Sequence, residues 1–142
     1  MSEPMKLEFQ LEQDNFDFAG VPSSRIKKVL QQIGVKNEII RRVAVASYEA
    51  EINVIIHSLG GSIKALIFPD RTELYLEDIG PGIPRVDLAM QEGFSTATDK
   101  IREKGFGAGM GLPNMKRCSD EFEISSEVDV GTKIKMIIFH NK

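Results

Sequence analysis

The sequence predicts an α+β protein, a two-layer sandwich in which helices cover one face of a mostly antiparallel sheet. Three observations predict it. Apolar residues alternate with polar ones in separate short stretches, the period of half-buried strands. Two stretches between the first and second strand carry apolar residues at three- and four-residue spacing, the period of helices. The remaining strands come in pairs joined by short turns, which makes them antiparallel neighbours.

Each element follows from local chemistry. Met5, Leu7, Phe9 and Leu11 alternate with Lys6, Glu8 and Gln10, giving a first strand with one inward face. After the Gly20-Val21-Pro22 break, Ser23 or Ser24 is placed to cap a helix carrying Ile26, Val29, Leu30 and Ile33, closed by Gly34. A longer helix begins near Lys36-Asn37 and runs through Ile39, Val43, Ala46, Ala50 and Val54 to the Leu59-Gly60-Gly61 stop. Residues 62–68 and 73–79 read as strands joined at Pro69-Asp70-Arg71. Asp78-Ile79-Gly80-Pro81-Gly82 then interrupts regular structure, Pro84 starts a short helix reaching Gln91, and residues 92–108, polar and Gly-bearing, form a mobile lid. Residues 109–118 make another helix, and residues 122–128 and 132–139 close the sheet around the Val130-Gly131 turn.

Length and composition bound the function. The 142 residues suit one domain spanning 1–142, and 42% apolar with 27% charged residues is ordinary for a globular protein. A net charge of −3 offers no basic field for nucleic acid. The single cysteine, Cys118, excludes an intrachain disulfide and a multi-cysteine zinc cage, and it favours a reducing, cytoplasmic setting. No signal peptide is expected at the N-terminus, and no apolar run approaches the roughly 18 residues that cross a membrane.

Three clusters carry chemistry. Glu49 and Asn53 are four apart and project from one side of the long helix. An Asn carbonyl oxygen is a hard ligand suited to Mg²⁺, and a carboxylate one turn away is placed to accept a proton; the same pair also fits a solvated helix face. Asp78, followed by Gly80 and Gly82 at a strand end, is suited to accept a hydrogen bond from an exocyclic amine while the glycines admit a flat ligand. An Asp-Gly turn uses the same residues. Gly105, Gly107, Gly109 and Gly111 recur at every second position into a helix, a backbone N–H cradle for phosphate or a set of hinges. The pattern is neither the Gly-x-x-x-x-Gly-Lys loop nor the dinucleotide fingerprint.

Glu-x-x-x-Asn, Asp-x-Gly-x-Gly, Gly-x-Gly-x-Gly and a late Gly-Thr, in this order, resemble the motif set of the GHKL ATP-binding superfamily and its Bergerat fold, a mostly antiparallel mixed sheet with helices on one face. The resemblance spans roughly residues 20–139. It implies ATP and Mg²⁺ as cofactors, with Asn53 holding the metal and Asp78 reading the adenine amine. Gly80 and Gly82 would line the adenine pocket, Gly107, Gly109 and Gly111 would meet the phosphates, Thr132 would back the adenine, and Glu49 would be the catalytic base.

Within the superfamily, Gly80-Pro81-Gly82-Ile83-Pro84, residues 89–96, Gly109-Met110-Gly111-Leu112-Pro113 and Lys116-Arg117 resemble the small kinases that partner bacterial STAS-domain antagonists, the anti-sigma factors and switch kinases. The activity implied is ATP-dependent phosphorylation of a Ser or Thr on a STAS-like protein, with a homodimer common in the group. The alternative is a non-catalytic ATP-binding module that sequesters a sigma factor. A detached histidine-kinase ATPase domain is disfavoured because no upstream phosphoacceptor helix is seen. Residues 97–104 lengthen the lid relative to the switch kinases, and Lys100, Arg102 and Lys104 there read as a solvated charge run.

The remaining chemically capable residues take structural readings. His57 is expected to be packed or hydrogen-bonded on its helix, His140 to sit at a frayed C-terminus, Cys118, Met110 and Met115 to fill core gaps, and Glu51 to lie on the surface.

Overall fold

The computed structural model describes residues 3–80, 90 and 111–141. Strand β1 (Met5–Glu12) leads through a short 3₁₀ turn (Phe16–Phe18) to helices α1 (Val21–Gln32) and α2 (Asn37–His57). Strands β2 (Gly60–Ile67) and β3 (Arg71–Asp78), helix α3 (Gly111–Cys118) and strands β4 (Glu121–Glu127) and β5 (Gly131–Phe139) follow. The expected short helix at 84–91, the lid at 92–108, and Gly82, Gly107 and Gly109 lie outside the described residues.

The strands form one sheet in the order β1-β2-β3-β5-β4, and every pairing among them is antiparallel. The period-two pattern determines the faces. Ile63, Ala65 and Ile67 of β2, Leu74 and Leu76 of β3, and Ile134, Met136 and Ile138 of β5 are buried toward the helices. They join Ile39, Ile40, Val43, Ala46, Ala50 and Val54 of α2, Ile26 and Leu30 of α1, and Leu112 and Met115 of α3 in one core. Helix α2 therefore lies on the sheet between α1 and α3. On the open face, Lys64, Tyr75 and Lys135 sit opposite one another across β2, β3 and β5. The two ammonium groups flank the Tyr75 ring at 5.1 and 5.8 Å.

Three expectations are corrected. Helix α1 starts before Ser23, at Val21, with Gly20 as its N-cap at φ +91° and Pro22 in the first turn; the Ser23 hydroxyl donates back to the Gly20 carbonyl at 3.1 Å. Glu51 is not on the surface: it is 0% exposed and accepts the Gly20 N–H at 3.1 Å, so it ties α2 to the start of α1. His140 is not frayed: at 5% exposure its Nε2 lies 2.7 Å from the Thr72 hydroxyl and its Nδ1 3.2 Å from the Pro69 carbonyl. A carbonyl only accepts, so Nδ1 carries the proton and Nε2 accepts from Thr72. Met115 fills the core as expected and Cys118 is half-buried against it, while Met110 and the His57 side chain lie outside the described residues.

Candidate active site

One end of the helix-covered side gathers the chemistry. Asp78 ends β3, and its two carboxylate oxygens are each held: Oδ1 accepts the Thr132 backbone N–H at 2.8 Å and Oδ2 accepts the Ser58 hydroxyl at 2.7 Å. Bonds to both oxygens fix the plane of the carboxylate, and each oxygen keeps a lone pair for a further donor. Buried Thr132 also shares a 2.8 Å hydroxyl contact with Ser126. Two glycines permit this crowding. A Cβ on Gly131, at φ +150°, would lie 2.0 Å from the Asp78 carbonyl oxygen, and one on Gly80 would lie 3.2 Å from Ser58 Cα.

The second group is on α2. Glu49 and Asn53 face the first residue of α3: a Cβ on Gly111 would sit 3.4 Å from Glu49 Oε2 and 3.9 Å from Asn53 Oδ1. The last glycine of the repeat and the acid-amide pair, far apart in sequence, thus meet at a helix start. Helix α3 is set there by Leu112 and Met115 in the core and by Arg42 of α2, which donates to the Cys118 carbonyl and to Asp120, both at 3.1 Å. Partial burial pushes the Glu49 carboxyl above its ordinary pKa, and a hydrogen bond from Asn114 of α3 pulls it back.

The two groups share α2. Ser58 caps that helix, Asn53 lies five residues earlier and Glu49 nine, the last about 14 Å away along the axis. Of the residues singled out by sequence, Asp78, Thr132 and Gly80 gather around Ser58 at the end of α2, and Gly111 meets Glu49 and Asn53 further back along it. Ser58, Ser126 and Asn114 were missed, and Arg117 was noted only within the Lys116-Arg117 pair of the family resemblance. Ser58 has a faint signal, a hydroxyl just before a Gly-Gly helix stop; the others serve through contacts that only the fold creates.

Among the described residues no group of three or more His, Cys, Asp or Glu could hold a metal, and no helix is long and apolar enough to cross a membrane. A concavity of about 350 Å³ lined by Glu8, Lys64, Tyr75, Glu77 and Lys133 is on the open face of the sheet, away from Asp78.

Residues 26–141 match the sequence profile of the family described as histidine kinase-, DNA gyrase B-, and HSP90-like ATPase. The chain is 32% identical over 115 residues to Serine/threonine-protein kinase RsbT of Bacillus subtilis (strain 168), a match covering 78% of this chain and 80% of that protein. It is 31% identical over 142 residues to an Anti-sigma F factor of Clostridium perfringens, covering 96% of each. A similar 31% over 137 residues relates it to the Anti-sigma F factor of Caldanaerobacter subterraneus subsp. tengcongensis, covering 93% of this chain and 90% of that protein.

Proposed function

The chain belongs to the histidine kinase-, DNA gyrase B-, and HSP90-like ATPase family, and on that premise we propose that it is an ATP-dependent serine/threonine protein kinase of the anti-sigma-factor and switch-kinase type, acting as one domain on a STAS-like protein. The observation that supports the site assignment is the pair of groups that α2 joins, the Asp78 carboxylate held by Ser58 at the helix end and Glu49 with Asn53 against Gly111 further back.

In this reading Asp78 accepts the adenine amine through its remaining lone pairs, Gly80 and Gly82 line the base, and Thr132 backs it. The backbone at Gly107, Gly109 and Gly111 meets the phosphates, where Gly111 opens a helix whose dipole favours anions. Asn53 Oδ1, beside Gly111, is a single hard neutral oxygen; it suits an ion that keeps several waters and takes phosphate oxygens, which fits Mg²⁺. When bound, Mg²⁺ neutralises charge on the phosphates. Glu49 accepts the proton of the Ser or Thr hydroxyl as that oxygen bonds to the γ-phosphorus, while the bond from phosphorus to the β–γ bridging oxygen breaks and ADP leaves. Partial burial makes this carboxylate a stronger base than an exposed one.

Regulation through a protein partner, a homodimeric state and a cytoplasmic location belong to the same reading. The test joins calorimetry of Mg-ATP binding with ³²P transfer from γ-labelled ATP to STAS-domain proteins of the source organism. The expected result is binding with transfer to Ser or Thr, abolished binding in Asp78→Asn, and retained binding without transfer in Glu49→Ala. Binding without any transfer by the unaltered chain supports instead a module that sequesters a sigma factor, and absence of binding overturns both.

A further inference from the structure

We propose that Asn114 is a positioning residue for Glu49, and that Arg117 acts through it by fixing the direction in which the Asn114 amide faces. This rests on the reading of Glu49 as the base. The Asn114 Nδ2 lies 3.4 Å from Glu49 Oε1, while Gly111, one turn earlier on α3, packs against Glu49 Oε2. One helix therefore addresses both oxygens of the carboxylate, a donor on one and a gap of glycine size on the other.

The orientation of the amide is determined by its second partner. An Asn side chain turned by 180° would present its carbonyl to Glu49 and repel it. Arg117 removes that choice: its Nη2 lies 2.5 Å from Asn114 Oδ1, and a guanidinium only donates. With the oxygen facing Arg117, the NH₂ faces Glu49. The pair sits three residues apart on one side of α3. That helix is anchored independently by buried Leu112 and Met115 and by the Ser119 hydroxyl on the Met115 carbonyl at 2.7 Å, so Asn114 is presented from a rigid support. A carboxylate aimed by two contacts is held for proton transfer; one released from Asn114 samples other rotamers and reaches the hydroxyl less often.

The experiment compares N114A, the near-isosteric apolar N114L, R117K, R117M, E49Q and the E49Q/N114A double variant. It reads kcat for ³²P transfer from γ-labelled ATP to the STAS-domain acceptor, Mg-ATP affinity by calorimetry, and Tm. N114A and N114L are expected to lower kcat by roughly 10- to 100-fold with ATP affinity changed less than about twofold. R117M should follow them, and R117K, which still donates to Oδ1, should recover most of the rate. In the E49Q background N114A should add no further loss. Wild-type kcat in both Asn114 variants, a parallel loss of ATP affinity in both, or an additional loss on top of E49Q overturns the proposal. A full loss in E49Q with unaffected Asn114 variants sinks the positioning role alone, whereas wild-type transfer by E49Q removes the base reading and this proposal with it.

Discussion

Ser58 and Glu51 show how much a single side chain can decide here without touching a substrate. Ser58 donates one of the two hydrogen bonds that orient Asp78, so Ser58→Ala frees that carboxylate to rotate. Loss of a buried hydrogen bond to a charged group is worth about 1–2 kcal/mol, and Mg-ATP affinity measured by calorimetry should fall roughly 5- to 30-fold. Glu51 titrates inside the core: burial pushes its carboxyl up to about 7, against the Gly20 N–H that lowers it. Its Oε2 and the Ser47 hydroxyl, both buried, have no hydrogen-bond partner among the described residues. The folded pKa lies above the unfolded value of 4.5, so stability is full below pH 4.5 and declines as pH rises through about 7. Glu51→Gln keeps an acceptor for Gly20 and cannot ionise. Its unfolding free energy, read from denaturant melts, should match wild type near pH 4.5 and exceed it increasingly up to pH 8, by an amount approaching about 3 kcal/mol. Sequence spacing said only that Glu51 faces away from Glu49. It could not say that α2 is packed against a second helix on that side as well, and so it gave the wrong environment.

At the scale of elements, the strands and helices were legible because their apolar periods are strong, and their ends were not. Helix α1 begins at Val21 because Glu51, thirty residues on, receives the N–H of its capping Gly20, a long-range partner that no local rule supplies. Among the described glycines, Gly131 at the start of β5 holds the most demanding backbone position. A methyl group on Gly131 would collide with the Asp78 carbonyl at 2.0 Å and would strain φ +150°, whereas Gly34, at φ +79°, has nothing within 4 Å. Gly34→Ala should therefore cost only about 1 kcal/mol. Gly131→Ala should cost more than about 2 kcal/mol and weaken ATP binding by displacing Asp78. Denaturant melts of the two variants, with calorimetry of each, check the contrast.

For the whole molecule, the order of the four sequence boxes was legible as a family pattern, but where their described residues lie depended on packing: Gly111 reaches Glu49 because Leu112 and Met115 seat α3 on α2. The same scale explains His140. It lies near the chain end yet closes the β2–β3 turn against the last strand, through the Thr72 hydroxyl and the Pro69 carbonyl. His140→Ala leaves the Thr72 hydroxyl, 0% exposed, without that partner. A loss of about 1–3 kcal/mol is expected, read as a lowered denaturation midpoint at unchanged m-value.

Strand β5, the last of the described elements, is an interior strand, paired with β3 on one side and β4 on the other. During synthesis from N- to C-terminus, the hairpin of β2 and β3 emerges with the β3 edge bare, and that edge waits for nearly sixty more residues before its partner leaves the ribosome. The nascent sheet is then β1-β2-β3, with Asp78 on its bare edge. In the proposed reading Thr132 of β5 must reach Asp78 before the nucleotide is held, so ATP binding follows the pairing of β5 and cannot template it.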